Sequence, residues 1–129
     1  MEIEIFVFCD YAKNYGGQLS VVGVFDHPAT ENFPWIFRKP FHLVGRMAYK
    51  EAGKRHFKLS IIDPEGKLIG SISEWDADIK KAEKELAHFE FDMVFESFVF
   101  EKPGKYQFKL ESEGDERILN LFVSQRKLS

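Results

Sequence analysis

Apolar residues recur at every second position of this chain, in short runs, and that period limits its fold more than any other feature of the sequence. At period two, successive side chains leave an extended backbone on opposite faces, so one face can be apolar and the other wet. The clearest run is 87–95, where Ala87, Phe89, Phe91, Met93 and Phe95 alternate with His88, Glu90 and Asp92. In 41–49, Phe41, Leu43, Met47 and Tyr49 oppose His42 and Arg46, with Lys50 next; in 55–62, Phe57, Leu59 and Ile61 oppose His56, Lys58 and Ser60. Further strands are expected over 3–11, 18–26, 67–75, 98–101, 106–111 and 118–123. The first is less clean. Ile3, Ile5, Val7 and Cys9 share a face, yet Phe6 and Phe8 stand with Glu2, Glu4 and Asp10 on the other, so both faces need cover.

The breaks carry turn chemistry. Asn14-Tyr15-Gly16-Gly17 supplies residues that tolerate positive φ, which makes 3–11 and 18–26 a hairpin. Glu51-Ala52-Gly53, Asp63-Pro64-Glu65-Gly66, Lys102-Pro103-Gly104-Lys105 and Ser112-Glu113-Gly114-Asp115 are further reversals. The segment 27–39 is too long for a hairpin turn and holds Pro28 and Pro34, with Pro40 behind it; it is expected to cross between sheets. The stretch 76–85 reads two ways. Ile79, Ala82 and Leu86 recur at helical spacing beside a charged face of Lys80, Lys81, Glu83, Lys84 and Glu85, so a short helix and an irregular crossing both fit.

About seven to nine short strands cannot hide their apolar faces in one flat sheet. The expectation is an all-β chain folded as a two-sheet antiparallel immunoglobulin-like sandwich, with a small closed barrel as the second solution. At 129 residues the chain suits a single domain over 1–129, large enough to remove roughly 68% of its extended surface from water. Crosslinks are therefore unnecessary, and the one cysteine, Cys9, can form none internally.

Two stretches carry a resemblance. The extended run ending at Asp10, then Tyr15-Gly16-Gly17-Gln18-Leu19 and Val22-Gly23-Val24-Phe25-Asp26, resembles the opening of a family of small bacterial proteins known only as a domain of unknown function. Phe100-Glu101-Lys102-Pro103-Gly104-Lys105-Tyr106, followed by Phe108 and Leu110, resembles the matching segment of that family and the penultimate-strand corner of immunoglobulin-like sandwiches. The resemblance implies a β-sandwich and no assigned activity, and so gives no functional residues to carry over. The paired cysteines of antibody domains, and the tryptophan between them, are lacking.

Charge and chemistry narrow the function. The formal net charge is −3 and the basic residues are scattered, whereas attraction to phosphates needs a concentrated positive field; nucleic acid is not an expected partner. Met1-Glu2-Ile3-Glu4 carries acids where a secretory signal carries Lys or Arg, and charges interrupt every apolar run well short of a membrane span, so a cytoplasmic location without membrane association is expected. His88, Glu90 and Asp92 point one way from their strand and offer metal-ligand chemistry, but neighbours on one face stand roughly 7 Å apart and a solvated outer face explains them as well. Asp63, Asp76 and Asp78 lack the loop of regularly spaced oxygen donors that calcium needs. Cys9 sits in an apolar strand, Ser71 and Ser73 have no nucleophile elbow, and Gly16-Gly17 precedes no helix. Neither a catalytic residue nor a cofactor is expected.

The aromatic cluster Phe33-Pro34-Trp35-Ile36-Phe37 must be covered by something, since each buried ring contributes about 1.5–3 kcal/mol. Either the loop seals one end of the sandwich, or Phe33, Trp35 and Phe37 face outward as binding anchors for a protein partner or a second copy of the chain. The functional expectation is a non-catalytic protein-interaction module, self-association through an edge strand included. The alternatives are a metal-dependent enzyme or metal-binding domain built on the outward acids and dispersed histidines, and a carbohydrate-binding module using Trp35 or Trp75 as a stacking platform.

Overall fold

The computed structural model describes residues 2–80 and 87–127. Eleven strands follow in order among the described residues: β1 (Glu2–Tyr15), β2 (Gln18–Phe25), β3 (Ala29–Thr30), β4 (Trp35–Phe37), β5 (Phe41–Tyr49), β6 (Gly53–Ile62), β7 (Leu68–Ile79), β8 (Ala87–Phe95), β9 (Phe98–Phe100), β10 (Gly104–Ser112) and β11 (Asp115–Gln125). A four-stranded sheet in the order β2-β1-β5-β8 faces a five-stranded sheet in the order β3-β11-β10-β6-β7, and β4 and β9 form a separate two-stranded ribbon. All pairings are antiparallel except the short contact of β3 with β11. The two-sheet expectation holds, with more strands than the seven to nine anticipated, because the proline-bearing crossing contains β3 and β4.

Alternation places the core. On β5 and β8 the register pairs Phe41 with Phe95, Leu43 with Met93, Met47 with Phe89 and Tyr49 with Ala87, all on the inner face as expected. From the opposite sheet come Phe57 and Leu59 of β6, Tyr106, Phe108 and Leu110 of β10, and Leu121 and Val123 of β11. Rings lock the layers together. Phe8 meets Phe108 edge-on at 4.8 Å, and Phe57 is stacked between Trp75 at 5.4 Å and Phe89 at 5.0 Å. Gly45 of β5 makes room for this layer, since a Cβ there would overlap the Phe91 ring. At the start of β10, in the segment that resembles the penultimate-strand corner of immunoglobulin-like sandwiches, the Tyr106 hydroxyl donates to the Lys102 carbonyl at 2.8 Å, a tyrosine corner.

Two readings need correction. No helix occurs among the described residues: the first part of the 76–85 stretch is the end of β7, where Trp75, Ala77 and Ile79 alternate with Asp76 and Asp78 and pair with β6 as far as Gly53. Ladder hydrogen bonds to β6 and burial of Ile79 outweigh the helical spacing there, and 81–86 lie outside the described residues. The faces of β1 also differ from the simple alternation. Glu4 is an extra residue between the pairs Ile3–Met47 and Ile5–Arg46, and this bulge reverses the parity, turning Phe6 and Phe8 inward and Ile5, Val7 and Cys9 outward.

Candidate functional site

The aromatic crossing forms a plug. Trp35 pairs with Phe100, Ile36 with Val99 and Phe37 with Phe98, so the β4–β9 ribbon turns four rings one way and two aliphatic side chains the other. Phe33, Trp35 and Phe37 are half-buried and packed against the core, while Ile36 and Val99 are exposed. Trp35 lies 5.1 Å from Phe37 and 5.7 Å from Phe100, and Phe37 meets Phe41 edge-on at 5.5 Å. Trp75 is engaged by Phe57 and Phe91 in the same way.

The outward His88, Glu90 and Asp92 of β8 do not converge on one point. Arg46 bridges Glu90 at 2.6 Å and Glu4 at 2.9 Å, His88 approaches Glu4 at 3.3 Å, and Asp92 meets His42 at 2.7 Å. Among the described residues no group of three such side chains is placed to hold a metal ion. The guanidinium of Arg46, helped by His88, holds the Glu4 carboxyl below the usual carboxylate range. His27 pairs with Asp26 at 2.6 Å, and His56 with Asp76 at 2.8 Å, a bond that raises the His56 imidazole above its ordinary value. Burial pushes the Cys9 thiol up, which leaves it a poor nucleophile.

The contacts of Arg46, His88 and Asp92 sit on the outer face of the four-stranded sheet, beside an unusual hairpin. Asn14 stands nine residues beyond Ile5 on β1, a span of roughly 30 Å if the strand ran straight. Its side-chain amide nevertheless donates to Glu90 at 2.7 Å, and Glu90 lies in the same row as Arg46 and Ile5. The far half of the β1–β2 hairpin therefore folds back over the sheet, where Leu19 and Val21 cover Cys9, Ala12 and Val44. The bend falls at Gly23, whose φ of +71° disfavours a side chain and whose missing Cβ leaves space for the Asp10 carboxylate. On the outside of the bend, Tyr11, Val22 and Val24 are exposed.

The edges of the two sheets differ in how they are guarded. Unpaired strand edges invite other strands, and proteins protect them with charge, proline or brevity. β8 carries His88, Glu90 and Asp92, β7 carries Glu74, Asp76 and Asp78, and β3 has only two residues. β2 has eight residues, Gln-Leu-Ser-Val-Val-Gly-Val-Phe, without a charge or a proline. Its only strand partner among the described residues is β1, and Val22 and Val24 are 58% and 61% exposed. The sequence shows this uncharged run, but only the sheet order shows that it is an edge.

The profile of a family of unknown function, DUF6941, matches residues 4–123. The chain belongs to this family. The DUF6941 match spans both resemblances drawn from the sequence and the middle between them. No curated protein matches the chain. Among solved structures, a β-glucosidase from Listeria innocua in complex with gluconolactone is similar at a TM-score of 0.52 and 12% identity, over 93% of this chain and 18% of that one. The same enzyme in complex with glucose gives 0.51 and 10%, over 80% and 15%. This DUF6941 chain thus spans less than a fifth of those enzymes, and at such identity the likeness is one of fold alone. No helix among the described residues is long and apolar enough to cross a membrane.

Proposed function

We propose that the chain is a non-catalytic protein-interaction module that receives an extended polypeptide segment along the outer edge of β2. The observation that carries this reading is the contrast between edges: β2 is long, uncharged and apolar at Val22 and Val24, whereas β7 and β8 carry acids and β3 is too short to serve. Strand addition draws its affinity from main-chain hydrogen bonds and its selectivity from alternate side chains, so it needs no deep pocket. A second copy of the chain supplies such a strand as readily as a foreign protein does, since two uncharged edges meet without like-charge repulsion. Phe33, Trp35 and Phe37 take the role of the plug in this reading, with the exposed Ile36 and Val99 outside it.

Val22→Lys and Val24→Lys place a charge on the edge at exposed positions and should leave the melting temperature within a few degrees. Sedimentation velocity over a concentration series, with affinity capture from the native cell, should show an associated species or a captured protein for the wild type that both variants lose. Equal association by wild type and variants, or none by the wild type at ~100 μM with nothing captured, refutes strand addition at β2.

A further inference from the structure

The turn of the β1–β2 hairpin fixes which main-chain groups β2 presents on its open side. Gly16 and Gly17 form a two-residue reversal with φ of +55° and +87°, flanked by the pair Tyr15–Gln18. Residues flanking such a turn exchange hydrogen bonds, and along an antiparallel ladder bonded and non-bonded pairs alternate. Lys13–Ser20, Tyr11–Val22 and Cys9–Val24 are then the bonded pairs. The N–H and C=O groups of Leu19, Val21, Gly23 and Phe25 point the other way, away from β1.

These groups do not form one straight row. On a straight strand Leu19 and Phe25 would stand roughly 20 Å apart, but the bend at Gly23 falls between them. Phe25 lies on the body of the sheet, where its ring stacks on Phe8, whereas Leu19 and Val21 lie on the folded-back arm. A straight incoming strand can follow one stretch or the other, not both. The pairing with β1 is kept on either side of the bend, from Cys9–Val24 to Tyr11–Val22, so the arm can swing as one piece.

The arm is seated lightly at its tip. There the Asn14 amide donates to Glu90 at 2.7 Å, and beside this bond a gap of about 190 Å³ opens between Lys13, Asn14 and Leu19 of the arm and Glu90, Phe91 and Asp92 of β8. At the root of the arm, the Asp10 carboxylate occupies the space that a Cβ on Gly23 would fill and pairs with Lys39 at 3.1 Å. Between tip and root, Leu19 and Val21 cover Cys9, Ala12 and Val44.

The geometry points to the arm as a strap that regulates strand addition, a role that rests on β2 being the docking edge. Folded back, the arm takes Leu19 and Val21 out of line with Phe25; swung out, it gives a partner strand the whole length of β2. A strand that pairs with the swung-out form shifts the population toward it. Its apparent affinity then scales with the fraction of chains whose arm is open.

The test follows arm opening and strand binding separately in the full chain. Labelling of Cys9 by a thiol reagent reads the opening, and a fluorescein-labelled peptide of the β2 sequence, residues 18–25 with added terminal lysines, reads the edge. Asn14→Ala loosens the tip, and Gly23→Ala sets a Cβ against the Asp10 carboxylate at a φ that disfavours a side chain. Each should speed labelling several-fold and tighten peptide binding by about the same factor, and saturating peptide should in turn speed labelling of the wild type. Adding Val22→Lys to Asn14→Ala should abolish peptide binding and leave labelling fast. Thermal melts serve as the folding control, with Asn14→Ala as the milder of the two variants. Faster labelling with unchanged or weaker peptide binding refutes the strap and leaves β2 as the docking edge, and so does labelling that neither variant speeds. Absence of peptide binding to wild type and variants alike up to ~100 μM refutes the edge itself, and the strap with it.

Discussion

Trp35 shows how one residue's role depends on which way a short strand is turned. Its indole packs on Phe37 and Phe100 and closes the core. Trp35→Ala should therefore lose about 3–5 kcal/mol, the usual range for a large ring removed from a packed site. Chemical denaturation would show this as a lower midpoint, with association state unchanged. Tyr106 ties its strand to the preceding corner through its hydroxyl, which donates to the Lys102 carbonyl at 2.8 Å and accepts from the Lys102 amide at 3.4 Å, so Tyr106→Phe should cost about 1–2 kcal/mol with the fold intact; a midpoint equal to the wild type would show the corner to be unimportant. The need to cover the aromatic cluster was legible in the sequence. Its direction was not, because the pairing of Trp35 with Phe100 joins segments far apart in the chain.

Among elements, the β1–β2 hairpin departs most from what its sequence suggests. The Gly16-Gly17 turn is plain in the residues and has φ of +55° and +87°, as a tight hairpin reversal requires. The bulge at Glu4 and the fold-back at Gly23 leave weaker traces, since each arises from one residue whose consequence depends on the neighbouring strand. Cys9 reports on the fold-back directly, being fully buried and the one thiol of the chain. Asn14→Ala removes the bond to Glu90, and it should speed labelling of Cys9 by a thiol reagent several-fold under native conditions while the melting temperature moves little. An unchanged labelling rate would mean that the Leu19 and Val21 packing alone holds the arm down. β8, by contrast, was readable to its last residue, because strict alternation over 87–95 leaves a single face that can be buried.

For the molecule as a whole, charge pairs between elements set the response to pH. Asp63 lies below its ordinary range because the amides of Lys67 and Glu65 donate to it, with Lys102 adding to the effect, and Glu65 lies below its range through Lys102. Asp76 is lowered by His56. Groups lowered in the folded state stabilise it above the unfolded carboxylate range and lose that contribution as pH falls through ~4 and below. His56 is raised, so its contribution is complete below the ordinary histidine value near ~6.5 and fades as pH climbs through the raised one. Melting temperatures from pH 3 to 9 should fall steeply on the acid side and slightly on the alkaline side, with Asp63→Asn flattening the acid limb and His56→Gln the alkaline one. The sequence by itself determined the all-β class, the main strands and the inward sets of residues, because a period of two needs only local backbone geometry to be read. Tertiary structure alone decided that β2 is an unguarded edge, that His88 and Glu90 of β8 are tied together through Glu4 and Arg46 while Asp92 pairs with His42, and that Tyr49 and Ser112 close one end of the core. Each of these depends on which distant strands become neighbours, and side chains on separate strands leave no spacing in the sequence to reveal it.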